Sequence, residues 1–357
     1  MKGRVLYLPS TPLNVLLSAA MALHYRSACE AQIWLIDQKN VSDNPYCDAL
    51  KLWNGTPFAT VGILSGGAKG LQKIQERSAN FSALKKMLES FIPDYVVVGS
   101  DRRVEFQFVM QHLRKCGVQV QGVYLDDGLY SYAGRQSSRW KDGVNALLKK
   151  MIYGFWWQEP LTVGASSWVK YAWLLRPNMA VEPLQRKELH SIDERWLLRD
   201  ELAELSKGVA EHLHYPVDRL SNLDVVVLVA HPNNVAKMPD YERELKKLVE
   251  SLTRQGRRVG VKYHPRAEGM DSLGLLDHGA REIIPAQMAF EFCLPLLPSG
   301  SVIVGDVGTA VLTSRWLRED LKVYAILKEQ DDFQQGFVNL SKKSGVAVVS
   351  SVGELSL

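Results

Sequence analysis

Short runs of consecutive apolar residues, many of them β-branched, alternate along this chain with longer amphipathic stretches. That alternation restricts the fold more than any other feature. Residues 95–98 read Tyr-Val-Val-Val, and residues 225–229 read Val-Val-Val-Leu-Val. A strand that is apolar on both faces belongs inside a parallel sheet with helices on either side. In the first third, 4–8, 32–36, 59–64, 95–98 and 118–125 read as strands. Helical patterns fill 71–91, 104–114 and the stretch after Pro12, where Leu13, Leu16, Leu17 and Ala20 share a face. Residues 141–153 read as a helix, followed by a region with Trp156, Trp157, Trp168 and Trp173, and 189–213 read as one long charged helix ending near Tyr215-Pro216. The alternation then restarts, with strands at 225–229, 258–263, 301–304, 322–326 and 346–349 and a helix at 241–255. Such βαβ repetition predicts an α/β protein of two doubly wound halves around a cleft. The expected division is an N-terminal domain over 1–175, a helical connection over 176–221 and a C-terminal domain over 222–357.

Composition narrows the function classes. With 357 residues there is length for two domains with cores of their own. A net charge of +4 suits anionic substrates or an anionic surface and is too small to argue for nucleic acid. Cys29, Cys47, Cys116 and Cys293 lie far apart without a CxxC pair, so neither a disulfide framework nor a zinc site is expected. His212 and His214, two apart in a helical pattern, point to different faces and do not suggest a metal. The apolar run after Lys2 and Arg4 is cut by Pro9 and Pro12 and reads as a strand, and no apolar run reaches the length of a membrane span.

In open α/β sheets, ligands bind beyond the carboxyl ends of the strands. Four segments occupy such places. Asp126-Asp127-Gly128 follows the strand ending at Leu125. Adjacent carboxylates repel, which raises one pKa, and a partly desolvated carboxylate serves as general base toward a sugar hydroxyl. Taken alone, Asp-Gly reads more commonly as a turn. Lys262-Tyr263-His264-Pro265-Arg266 closes a second-half strand. Pro265 biases His264 toward an extended backbone, from which its imidazole can meet a departing phosphate beside Lys262 and Arg266. A surface histidine beside a turn proline fits that segment equally well.

Gly308-Thr309-Ala310-Val311 follows the strand at 301–304. Small residues before an apolar helix let backbone amides approach a phosphate, and an ordinary βα turn with Thr309 near the N-cap is the plain alternative. Ala230-His231-Pro232-Asn233-Asn234 offers His231 and Asn233 after the strand at 225–229, although such loops hold asparagine by default. Arg102 and Arg103 follow the strand at 95–98 and suit either the acceptor side of a site or structural ion pairs. The tryptophans fit packing of the connection between domains, or a surface facing acceptor or membrane. No P-loop, GxGxxG or GxSxG pattern occurs.

Taken in order, these segments resemble the bacterial sialyltransferase and polysialyltransferase superfamily, and most nearly its lipooligosaccharide sialyltransferase family. The acidic-acidic-Gly motif at 126–128, the Lys-x-His-Pro-Arg motif at 262–266 and the Thr-Ala-aliphatic motif at 309–311 carry the resemblance, with Thr11-Pro12-Leu13 after the first strand. It implies a GT-B fold, two Rossmann-like domains facing a central cleft, and inverting transfer of a nonulosonic acid, such as sialic acid, from a CMP-activated donor. It also implies no metal or other cofactor, and a glycan or glycolipid acceptor. Asp126 would be the general base, with Asp127 supporting it or exchanging roles with it, and His264 would stabilise or protonate the departing phosphate. Thr309 and the backbone at Gly308 would hold that phosphate; Thr11, Pro12, Gly128, His231, Asn233, Lys262, Pro265 and Arg266 would contact substrate. Gly308 stands where a serine is often found, and His231-Pro232 where relatives often have Gln-Pro. A cytoplasmic protein, associated peripherally with the inner face of the membrane, is the expected setting. The rival readings are a CMP-Kdo or UDP-sugar transferase of the same fold, and a non-catalytic glycan-binding subunit.

Overall fold

The structure, a computed structural model, describes the chain apart from residues 135–138, 236–237, 239, 307, 328–331, 352–353 and 356–357; the side chains of 139–145 and 332–336 also lie outside the description. It forms two compact units, Met1–Leu202 and Ala203–Leu357.

The first unit opens with β1 (Gly3–Leu8), α1 (Pro12–His24), β2 (Cys29–Gln38), α2 (Pro45–Leu52), β3 (Phe58–Ser65) and α3 (Gly70–Ser90). It continues through β4 (Tyr95–Val98), α4 (Val104–Lys115), β5 (Gln121–Leu125), the short α5 (Tyr130–Ala133), α6 (Arg139–Tyr153), β6 (Val169–Leu174), α7 (Glu182–Gln185) and β7 (Glu188–Ser191). All its strands are parallel, in the order β3-β2-β1-β4-β5-β6-β7. The sheet grows one way from β1 and the other way from β4, so a crevice opens where their carboxyl ends diverge. Leu6, Leu8, Val96 and Val98 of the central strands are buried with Leu84 and Leu88 of α3 and Phe106 and Val109 of α4.

After α8 (Asp200–His212), the second unit runs through α9 (Val217–Ser221), β8 (Val225–Leu228), α10 (Pro232–Val235), α11 (Tyr241–Arg254), β9 (Val259–Lys262) and β10 (Glu282–Ile284). It ends with α12 (Phe290–Cys293), β11 (Val302–Gly305), α13 (Thr309–Leu317), β12 (Lys322–Ile326), α14 (Asp332–Lys343) and β13 (Ala347–Val349). The order β10-β9-β8-β11-β12-β13 is again all parallel, with its switch point between β8 and β11. Leu245, Leu248, Val249 and Leu252 form the buried stripe of α11 against Val225, Val227, Val259 and Val261. The two Rossmann-like units are those of the GT-B fold.

Residues 189–213 are not one helix. They give the end of β7, a 3-10 turn (Glu194–Trp196) and then α8. The stretch expected as a helical connection over 176–221 therefore contributes an edge strand to the first sheet. β7 reads Glu-Leu-His-Ser and no residue of it is fully buried, so it lacks the apolar signature of a central strand. β6 lies inside the tryptophan-rich region, and its Trp173 stacks on His190 of β7 (4.6 Å) and packs against Trp196 (5.6 Å). Trp157 is fully buried in the same unit. These aromatics build the first unit rather than a link between domains.

Candidate active site

The Asp-Asp-Gly segment after β5 is both a turn and a site, with the two roles divided between its carboxylates. Asp126 is fully buried. Its Oδ1 accepts from the Gly128 amide (2.9 Å) and the Ser131 hydroxyl (3.0 Å), and its Oδ2 from the Leu175 amide (2.9 Å) and the Tyr132 hydroxyl. Burial raises its pKa, opposed by those four hydrogen bonds. Gly128 takes a φ of +82°, where a side chain would be strained, and so lets the turn close on Asp126. With four donors on two inaccessible oxygens, Asp126 has no room to take a proton from a substrate. In this arrangement its carboxylate holds β5, α5 and the end of β6 together.

Asp127 is only half-buried. Loss of hydration pushes its carboxyl up to about 7, and the charge of Asp126 adds to this; Arg103, Thr11 and Asn14 pull the other way. The Thr11 hydroxyl donates to its Oδ1 at 3.3 Å and, as N-cap of α1, accepts from the Asn14 amide at 3.3 Å. Pro12 fills the first turn of α1. Asn14, buried with Ser18 in a largely apolar helix, donates Nδ2 to the Asp126 carbonyl at 2.7 Å. Its amide lies so close to β4 that a Cβ on Gly99 would fall 1.6 Å from Asn14 Oδ1. Thr11, Asn14 and Asp127 thus meet at the divergence of β1 and β4, beside the end of β5.

A chain of ion pairs backs this cluster. Arg103 pairs with Asp37, and its Nε donates to the Ser10 hydroxyl at 3.2 Å. Asp37 also takes Arg77 at 2.5 Å, and Arg77 pairs with the wholly buried Glu105. Asp37 adopts a φ of +59°, a left-handed conformation that aspartate tolerates better than most residues. Arg102 pairs instead with Glu159, which also takes Lys149 at 2.8 Å. Of the two arginines, Arg103 is thus the one whose charge acts on Asp127.

In the second unit, the loops after β8 and β9 repeat one geometry. His231 Nδ1 accepts from the Asn233 amide at 3.0 Å, and His264 Nδ1 accepts from the Arg266 amide at 3.1 Å. Each neutral ring therefore carries its proton on Nε2, as a donor. The ring centroids are 4.5 Å apart. Partial burial lowers the pKa of His264, and the charges of His231, Arg266 and Lys262 lower it further, which favours the neutral imidazole. This favours hydrogen-bond donation over protonation of a leaving group. Pro265, Arg266 and Asn233 are exposed on the two loops.

Lys262 does not extend to this surface. It is buried, its ammonium donates to the carbonyls of Tyr263 (2.8 Å) and Ala286 (3.1 Å), and burial lowers its pKa. In this position it ties β9 to the loop after β10. Gly308 caps α13 in extended backbone, and a Cβ there would meet nothing within 4 Å, so the position admits a serine without strain. Thr309 is half-buried at the first turn of α13, next to the β8–β11 switch point. Asn14, Asp37, Ser10 and Tyr132 went unseen in the sequence. Only Asn14 left a signal there, as a polar residue in the run Leu13–Leu17 of an apolar helix face.

No family model matches the sequence, and no curated protein matches it. Solved structures do match along the whole chain. The α/β-galactoside α-2,3-sialyltransferase of Photobacterium phosphoreum is 14% identical, with 100% of both chains covered and a TM-score of 0.58. The GT-B domain of a sialyltransferase from Photobacterium damselae is 12% identical over 97% of this chain and 99% of that one (TM-score 0.54). UDP-GlcNAc 2-epimerase from Methanocaldococcus jannaschii is 13% identical over 97% and 88% (TM-score 0.53). At these identities the likeness establishes the GT-B fold.

Proposed function

We propose that the chain is an inverting glycosyltransferase that moves a nonulosonic acid from a CMP-activated donor to a glycan hydroxyl. The observation that carries this reading is Asp127, a carboxyl held near pH 7 at the divergence of β1 and β4. A base of that pKa is matched to a hydroxyl at neutral pH, being about half ionised there and more basic than an ordinary aspartate. In the proposed reaction Asp127 takes the acceptor hydroxyl proton as the oxygen bonds to the anomeric carbon. The bond from that carbon to the CMP phosphate breaks on the opposite face, so configuration inverts and CMP leaves with the electron pair. His264 and His231 donate from Nε2 to the departing phosphate, and the amides opening α13 at Gly308 and Thr309 add hydrogen bonds. The charge on the phosphate is met by protein donors, so turnover is expected to persist in EDTA.

The order of the acidic, His-Pro and Thr-Ala motifs supports the sialyltransferase reading, as do the solved sialyltransferases of the same fold. The Photobacterium phosphoreum protein's α/β-galactoside makes galactosides the first acceptors to try. The deciding experiment is calorimetric titration with CMP and with UDP, repeated on His264→Ala, followed by transfer assays with CMP-sialic acid and CMP-Kdo. CMP binding that is tighter than UDP binding and lost in the variant supports the reading. UDP preference moves the chain to an ordinary sugar-nucleotide enzyme, and binding of neither overturns catalysis.

A further inference from the structure

We propose that the outward face of α6 docks on an anionic phospholipid surface, with the helix lying in the plane of the interface. Leu147, Leu148, Met151 and Ile152 form one stripe at helical spacing, and Phe155 prolongs it just past the helix end. They are 59%, 48%, 67%, 51% and 91% exposed. In a helix that covers a sheet, such a stripe would face the core. Here the contacts are made by other residues. Tyr153 packs on Phe81 of α3 (6.3 Å) and on Trp157 (6.1 Å), and Trp156 on Phe108 of α4 (6.4 Å). Lys149 bonds Glu159 and lies 4.5 Å from the centre of the Trp157 ring. The last turns of the helix are tied to the first unit through Tyr153 and Lys149, while Leu147, Leu148, Met151 and Ile152 face water. A contiguous exposed apolar stripe of this kind marks an interaction surface.

Charge selects the partner. Along α6 the chain carries Arg139, Lys141, Lys149 and Lys150 against one acidic residue, Asp142, and of these Lys149 is paired with Glu159. Lysines beside an apolar stripe are attracted to an anionic headgroup layer, whereas a second copy laid on the same face would set lysine against lysine. The fifteen residues of α6 are too few to cross a bilayer, for which about 20 are needed, and no helix among the described residues is long and apolar enough to do so. The geometry points to a helix that lies on the membrane. Lipid docking through α6 needs nothing from the nucleotide chemistry, so the two are tested apart.

The test is co-sedimentation of the full chain with phosphatidylcholine vesicles, with and without phosphatidylglycerol. The variants are Met151→Ser/Phe155→Ser, Lys150→Glu and, as control, Leu52→Ser, an 81% exposed leucine at the end of α2. The substituted side chains are solvent-exposed, and circular dichroism checks that each variant folds. Binding should require phosphatidylglycerol, fall at least ~10-fold in the double variant and about 5-fold in Lys150→Glu, and be unchanged in the control. Absence of vesicle binding by the unaltered chain overturns the proposal, as does equal binding by the double variant. Self-association lost in the double variant, without vesicle binding, would assign the face to a second copy instead.

Discussion

His231 and His264 close the same turn twice, each Nδ1 accepting the amide two residues on, and their rings lie 4.5 Å apart at the ends of neighbouring strands. Two ring donors this close suit a phosphate with several acceptor oxygens. His264→Ala is expected to cut turnover by at least ~10²-fold. His231→Ala should cost about 10-fold, the equivalent of one hydrogen bond to a charged group. Both should weaken CMP binding in calorimetry. Unchanged CMP affinity in His231→Ala would remove that residue from the donor site.

The neighbours Asp126 and Asp127 should separate cleanly on substitution. Asp127→Asn keeps the shape and removes the base, so kcat should fall at least ~10²-fold with little loss of thermal stability. Asp126→Asn instead turns an NH2 group toward hydrogen-bond donors. With the Leu175 amide and Tyr132 hydroxyl on one oxygen and the Gly128 amide and Ser131 hydroxyl on the other, either rotamer leaves donors facing a donor. A loss of about 1–3 kcal/mol, read from denaturant unfolding, is expected. Near-normal turnover in Asp127→Asn would end its assignment as the base.

The pKa of Asp127 sets a pH limb. The base acts when ionised, so kcat/KM should rise with pH and level off above about 7, and the limb should vanish from the residual activity of Asp127→Asn. Stability runs the opposite way. A carboxyl whose folded pKa is raised binds more protons folded than unfolded between about pH 4 and 7, so its contribution to stability falls as pH rises through that window. Asp127→Asn, which mimics the protonated form, should be more stable than the parent at pH 8, by up to about 4 kcal/mol for a three-unit shift, and should converge with it below pH 4. Parallel unfolding curves at pH 4 and pH 8 measure the difference.

The sequence made the central strands legible because burial on both faces leaves no alternative to unbroken apolar runs, as at Val225–Leu228. Edge strands escaped it. β7 is part polar, and β10 is three residues long, so neither carries the signal of a buried strand. Motif order located the strand-end loops but not the direction of each side chain. Asp126 and Asp127 look alike in sequence, and only the turn at Gly128 decides which carboxylate is enclosed. Lys262 reads as a phosphate ligand until its ammonium is seen bonded to two carbonyls. Asp37 and Glu105 are distant in sequence, and tertiary contact alone shows that they anchor the arginines behind the site.

Arg103 offers a test that a purely structural role would not pass. Its guanidinium lowers the Asp127 pKa while being held by Asp37 and Ser10. Replacing it with glutamine removes the charge, so the Asp127 carboxyl should ionise at higher pH and the kcat/KM limb should move upward. Asp37 keeps Arg77 as partner, which limits the cost to folding. At pH 6.5 the variant should be several-fold slower than the parent, and at pH 9 the two should approach each other, a pattern that ordinary loss of stability does not produce. Arg103→Lys, which keeps a cation near the same place, should return the limb part of the way. A pH profile unmoved in Arg103→Gln would confine Arg103 to the ion-pair chain and leave the pKa of Asp127 to burial, the charge of Asp126 and the hydrogen bonds of Thr11 and Asn14.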